Sequence, residues 1–296
     1  VECSYVNNAA ALPVEVIGTN NNLRGAVVKI RGDVSSQFIS GLLFALPLAK
    51  SDSGVQITTA VESRDYIAVT IDVLKKFGVE IDYSPQFDSF KIKGNQSYSA
   101  CDYKVEGDYS SAAFPLAAGT LAGKVTVRNL NQDSMQGDKR IVDVIKQMGG
   151  RIWFENNCVI AQKSDLSACV VDARNTPDLV PIIAVIASQA VGVTKINNVE
   201  RLKLKESDRL GGTIDLANCL GGKAWTDGKT LFVEGKTKLR GGVPNTLNDH
   251  RLVMSSAVAG LVCENSVELN EPGAVLKSYP HFFEDLKKLG ASVLEE

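Results

Sequence analysis

Four short polar segments carry the residue types with which this chain could do chemistry. The densest, Lys203-Leu204-Lys205-Glu206-Ser207-Asp208-Arg209, sets three cations and two carboxylates within seven residues, just ahead of an amphipathic stretch. Alone, it reads equally as a solvated charged turn. Asn248-Asp249-His250-Arg251 runs straight into an apolar stretch, so its charges sit at the mouth of a core, where a lone His is more often structural than catalytic. Ser35-Ser36-Gln37 offers short hydrogen-bond donors at a helix start, where free N–H groups and the helix dipole favour a phosphate. Plain N-capping is the other use of such residues. Lys277-Ser278-Tyr279-Pro280 precedes the last helix and by itself is a turn.

These segments need elements to position them, and the chain supplies a repeat. Phe77-Gly78, Met148-Gly149, Leu220-Gly221 and Leu289-Gly290 recur at intervals of 71, 72 and 69 residues. Ahead of them Ile67/Ile71/Leu74, Ile141/Ile145/Met148, Leu210/Ile214/Ala217 and Phe282/Leu286/Leu289 fall near i, i+4 and i+7, one stripe of a helix. A closing glycine suits a left-handed C-cap. A second helix recurs behind a polar opening: Asp33-Val34-Ser35-Ser36-Gln37, Asp108-Tyr109-Ser110-Ser111, Thr176-Pro177-Asp178 and Asn248-Asp249-His250-Arg251. The runs that follow, 41–49, 112–122, 179–187 and 252–262, are almost wholly apolar, which predicts helices buried on every face. Short β-rich pieces lie between them. The predicted unit is a set of strands wrapped around a buried helix with a second helix beside it, stacked with pseudo-threefold symmetry.

At 296 residues the chain has room for two domains. Hydrophobic residues make up 44% and charged residues 22%, which excludes a disordered or collagen-like chain. A net charge of −2 gives no overall attraction to nucleic acid or an acidic membrane. Six cysteines without a Cys-x-x-Cys pair, and only two histidines, lack zinc-ligand spacing and predict buried free thiols in a reducing compartment. The first ten residues lack a signal pattern, and the longest apolar run, 179–193, is too short for a bilayer. The expectation is a soluble cytoplasmic protein with no metal.

Ser35-Ser36-Gln37, Ser63-Arg64-Asp65, Lys205-Glu206-Ser207-Asp208-Arg209, Asp249-His250-Arg251 and Lys277-Ser278-Tyr279-Pro280 occur in this order over essentially the whole chain. The combination resembles the 5-enolpyruvylshikimate-3-phosphate synthase family. The resemblance implies an α/β fold of two "inside-out" barrel domains, built of βαββαβ-type repeats around buried helices. Residues 1–105 would form an incomplete first domain and 106–296 a nearly complete second, with a hinge near 104–107. The implied reaction transfers the enolpyruvyl group of phosphoenolpyruvate to the 5-hydroxyl of shikimate 3-phosphate, through a tetrahedral intermediate and with release of phosphate. It serves aromatic amino acid biosynthesis and needs no cofactor. By the same resemblance Ser35, Ser36 and Arg64 bind the shikimate phosphate, Ser63 is a substrate-binding residue and Gln37 touches both substrates. Tyr66 stands where one branch of the family has His. Asp178 is the base and Lys205 keeps it ionised. Glu206 is the proton shuttle with Lys277 as the rival donor, and Arg209, Arg251 and Lys277 bind phosphoenolpyruvate beside Asp249 and His250.

Counting back along the repeat predicts that the chain opens in the middle of a unit, with Val1-Glu2-Cys3 acting as the strand after an anchor glycine. The upstream segment is then expected elsewhere, as a further partner, and the chain by itself is expected not to turn over substrate. Two other readings stand beside this one. One is a UDP-N-acetylglucosamine enolpyruvyl transferase, disfavoured by the Ser35-Ser36-Gln37 and Lys205-to-Arg209 motifs. The other is a non-enzymatic repeat module whose charges are only caps and turns.

Overall fold

The computed structural model describes residues 2–5, 13–20 and 22–294. The chain divides into two units, Val1–Lys104 and Val105–Glu296. In the first unit β1 (Glu2–Tyr5) and β2 (Val14–Ile17) form an antiparallel pair; Val1, at the head of the expected strand, lies outside the described residues. Then come β3 (Val27–Ile30), α1 (Ser36–Ala45), β4 (Ser53–Ile57), α2 (Arg64–Lys76), β5 (Asp82–Tyr83) and β6 (Ser89–Ile92). Their sheet runs β3-β4-β6-β5, with β3 and β4 parallel and the other pairs antiparallel.

The second unit opens with α3 (Tyr109–Ala122), β7 (Lys124–Arg128), α4 (Arg140–Gln147), β8 (Arg151–Glu155) and β9 (Cys158–Gln162). After the short β10 (Leu166–Ser167) come β11 (Val170–Asp172), α5 (Val180–Ser188), the short β12 (Ala190–Val191), β13 (Val193–Asn197), α6 (Arg209–Cys219), β14 (Lys223–Thr226) and β15 (Thr230–Glu234). The chain ends on α7 (His250–Gly260) and α8 (Phe282–Lys288). The sheet β11-β13-β15-β14 repeats the topology of β3-β4-β6-β5, with one parallel pair and two antiparallel ones. One detail of the expected βαββαβ order is corrected to βαβαββ. A parallel pair needs a helical crossover, whereas an antiparallel pair needs only a tight turn, so the directly joined strands are the final hairpin.

The second unit is organised as its sequence predicts. Helices α3, α5 and α7 pack on one another at its centre and the sheets lie outside. Every residue of α5 is buried. The amphipathic helices α2, α4, α6 and α8 each end at a glycine of positive φ, +81° at Gly78, +84° at Gly149, +89° at Gly221 and +99° at Gly290. These are the left-handed positions that glycine occupies without strain.

Other expectations fail. The run 41–49 is not buried on every face: it is the end of α1 followed by a 3-10 turn, and Phe38, Phe44 and Leu48 are exposed. Leu289 is exposed as well, unlike Met148 and Leu220 at the same position after α4 and α6. The six cysteines are free but none is fully buried. Within the polar openings Ser35 caps α1 as its type allows, while Asp33 pairs with Arg31. Asp178 lies in the 3-10 turn Pro177–Leu179 that leads into α5. Among the described residues no helix is long and apolar enough to cross a membrane, and no group of three or more His, Cys, Asp or Glu could hold a metal.

Candidate active site

In each unit the polar clusters follow the parallel strands, at their carboxyl ends, the usual place for ligands in open α/β sheets. In the first unit the loops after β3 and β4 are tied together. Thr59 Oγ1 accepts from the Gly32 and Asp33 amides at 2.9 and 3.2 Å, and Glu62 N donates to Gly32 O. The expected phosphate ligands stand on these loops. Ser35 Oγ accepts from Gln37 N at 3.2 Å, so the capping role is in use, and Ser36 is buried at the first position of α1. Ser63 is buried in a left-handed conformation, φ +53°, ahead of α2, and Arg64 Nε donates to Val61 O. Gln37 and Arg64 are exposed, as is Tyr66.

The second unit draws its cluster from four places: the turn before α5, the loop between β13 and α6, the start of α7, and the 3-10 stretch Pro272–Lys277. Arg209 is its centre. This first residue of α6 is 0% exposed, and its guanidinium donates to three carboxylates. Nη1 reaches Asp178 Oδ1 at 2.7 Å, Nη2 reaches Glu206 Oε2 at 2.8 Å and Nε reaches Asp249 Oδ2 at 2.9 Å. The planar fork of Arg suits such a junction, and Lys could not replace it. In this arrangement each of the three guanidinium nitrogens of Arg209 faces a carboxylate.

The other cations surround that junction. Lys205 Nζ lies 3.5 Å from Asp178 Oδ1, and Arg251 Nη2 lies 3.3 Å from Asp178 Oδ2. Lys277 Nζ donates to Glu206 Oε1 at 3.1 Å and keeps about half of its side chain exposed, 54%. Asp249 caps α7 by accepting from Arg251 N at 2.9 Å, and it also takes Ser207 Oγ at 2.9 Å. Four cations thus stand against three carboxylates, leaving the cluster positive.

This crowding sets the protonation states. Burial pushes the Asp178 carboxyl up, but Arg251, Lys205 and Arg209 together outweigh it and hold it at about 2. Glu206 also sits at about 2: burial raises it, while its own backbone amide, Lys277 and Arg209 lower it more. Asp249 is lowered by Arg209 in spite of its burial. His250 moves the other way. Burial first, then the charge of Arg251, lowers it, and its Nδ1 has no hydrogen-bond partner among the described residues. A neutral His250 is no cationic ligand for a phosphate.

Sequence reading thus found the members of the cluster but not its centre. It also passed over Ser207 as a ligand of Asp249, and over Glu271. The only sequence signal for Glu271 is an acid placed just before a proline that starts a helical turn.

Residues 1–286 match the family model for EPSP synthase (3-phosphoshikimate 1-carboxyvinyltransferase). The 3-phosphoshikimate 1-carboxyvinyltransferase of Clostridium acetobutylicum is 46% identical over 284 residues, which cover 96% of this chain and 65% of that protein. The one from Clostridium perfringens is 43% identical over 299 residues, covering 100% of this chain and 69% of the relative. The chain therefore spans about two thirds of the length of the curated relatives it matches. In fold it is similar to EPSP synthase from Acinetobacter baumannii, with a TM-score of 0.80 at 20% identity over 100% of this chain and 69% of that one. It is also similar to the enolpyruvyl transferase NikO from Streptomyces tendae, with a TM-score of 0.73 at 19% identity over 92% and 65% of the two chains. With a matching model over nearly its full length, the chain belongs to the EPSP synthase (3-phosphoshikimate 1-carboxyvinyltransferase) family.

Proposed function

We propose that the second unit binds phosphoenolpyruvate and supplies the acid–base groups for transferring its enolpyruvyl group to the 5-hydroxyl of shikimate 3-phosphate, with release of phosphate. The observation that carries this reading is the positive, carboxylate-bridged cluster around buried Arg209. A scaffold gains little from such a cluster, since burying ions costs about as much as their pairing returns. For an enzyme it is a preorganised field for developing negative charge. Ser35, Ser36, Ser63 and Arg64, on the joined loops of the first unit, are the proposed ligands of the shikimate phosphate, with Gln37 and Tyr66 beside them. A cytoplasmic setting fits soluble metabolites of this kind.

In the proposed reaction the oxygen of the 5-hydroxyl bonds to the central carbon of phosphoenolpyruvate. Asp178 takes the hydroxyl proton, with Lys205 orienting the group, and the methylene carbon gains a proton to become methyl. The tetrahedral adduct then loses phosphate and a methyl proton, leaving the enol ether. Arg251 and Lys277 hold the carboxylate and phosphate, and Arg209 joins them when the anion displaces Glu206 from it. An Asp178 carboxyl held at about 2 is a weak base. Arrival of a multiply charged anion neutralises its cationic neighbours and raises it, so the base strengthens as the substrate seats. Glu206, ionised at neutral pH, relays a proton from Lys277 rather than holding one of its own.

Calorimetric titration with phosphoenolpyruvate tests the anion site: Arg251→Ala weakens binding by at least about tenfold, the weight of one charge-assisted contact. In an enzyme of the relatives' full length that carries this segment, Asp178→Asn leaves that affinity within about tenfold and lowers shikimate 3-phosphate-dependent phosphate release by about two to four orders of magnitude. Normal turnover by Asp178→Asn removes it as the base.

A further inference from the structure

We infer that Glu271 is a positioning residue that sets the spacing between Arg251 and Lys277. Its Oε2 accepts from Asn248 N at 2.5 Å and from Thr246 Oγ1 at 3.1 Å. The turn it holds is unusual. Leu247 and Asn248 both have φ +51°, the left-handed region that side chains enter at a cost and keep only when their surroundings impose it. Thr246 is buried, its carbonyl accepts from Asp249 N at 2.8 Å, and Leu247 N donates to Asn245 Oδ1. The next residues are Asp249, which caps α7 and bonds Arg209, and Arg251.

Glu271 also begins the other arm of the site. It precedes the 3-10 stretch Pro272–Lys277, its carbonyl accepts from Ala274 N, and that stretch packs on α7 and ends at Lys277. One carboxylate therefore joins the two segments that carry Arg251 and Lys277. A similar clasp occurs at α3, where Gln136 accepts from Tyr109 N and donates to Gly107 O around the cap Asp108.

The inference rests on the reading of Arg251 and Lys277 as anion ligands. Phosphoenolpyruvate carries a carboxylate and a phosphate and spans both cations, whereas inorganic phosphate needs one. The full 296-residue chain is titrated calorimetrically with each compound, with thermal unfolding recorded alongside. Glu271→Ala weakens phosphoenolpyruvate about tenfold and phosphate less than about threefold, and Glu271→Gln, which keeps an acceptor, stays within about threefold of the parent for both. Glu271→Asp, one methylene shorter, falls between and serves if the Ala variant does not fold. Unchanged phosphoenolpyruvate affinity in the Ala and Asp variants, or equal losses for the two compounds, overturns the inference while a loss in Arg251→Ala upholds the anion site. An unaffected Arg251→Ala overturns both.

Discussion

The helices α1 and α5 occupy the same place in the same βαβαββ repeat, each crossing between a parallel pair of strands, yet their surroundings differ. In α5 nothing reaches solvent, because α3 and α7 press on it from within the second unit. In α1 Ile39 and Leu43 are buried, but Phe38 and Phe44 are 55% and 45% exposed. Within the first unit α1 packs on α2, and among the described residues no buried helix flanks it as α3 and α7 flank α5. An apolar run thus specifies that a helix can be buried all round; its neighbours determine whether it is. The ion pairs differ in parallel. Arg31 and Asp33 meet at the surface, 2.9 Å apart, whereas Arg209 is itself out of water and holds three carboxylates.

The largest effect expected from that contrast is at the buried cation. Arg209→Met leaves three carboxylates facing one another and destabilises the second unit by at least about 3 kcal/mol. Both tryptophans, Trp153 and Trp225, lie in that unit, so urea unfolding followed by tryptophan fluorescence reads it alone. Arg31→Ala produces no measurable loss in the first unit, read there by hydrogen exchange of its amides in urea. Equal losses at the two arginines would erase the distinction between them.

Core truncation comes next. Ile183→Ala in α5 costs about 2–5 kcal/mol, since the site has little room to collapse. Phe44→Ser in α1 changes stability by no more than about 0.5 kcal/mol and improves solubility. Hydrogen exchange of the two helices measures both; a Phe44 variant as damaging as Ile183→Ala would mean that α1 is covered in solution.

Acid gives a smaller, graded effect. Asp178 and Glu206 have folded values near 2, below their ordinary values of 3.8 and 4.5. Their contribution is complete above the unfolded values and is lost as pH falls from about 5 toward 2. For Asp178 the difference is about 2 kcal/mol. Urea midpoints across this range check it, and an Asp178→Asn variant should show a shallower decline.

Salt is the smallest lever. Asp33 is also held at about 2, chiefly by its hydrogen bond to Arg31. That pair faces solvent, so raising salt from about 0.1 to 1 M screens it and moves Asp33 toward its ordinary value, while the shielded Asp178 moves less. Carboxyl NMR titrations at the two salt levels compare them directly.

Much was legible in the residues alone, for a local reason. The closing glycines, the helical stripes and the polar helix openings depend on backbone preferences within a few residues, and the repeat follows from their recurrence. Ser35, Asp108 and Asp249 cap their helices as their types allow. Asp33 and Asp178 are equally good cap residues, but distant or flanking cations claimed them instead. Nothing near Arg209 in the chain indicates that it would be wholly buried, because Asp178 and Asp249 lie 31 and 40 residues away, one earlier in the same repeat and one in the next. Glu271 was silent for the same reason, with its partner Asn248 23 residues upstream. Local sequence determines which residues can cap, bind or be buried. The meeting of three repeats in one unit decides which of them do, because burial, charge neutralisation and hydrogen-bond choice depend on neighbours that only the folded chain brings together.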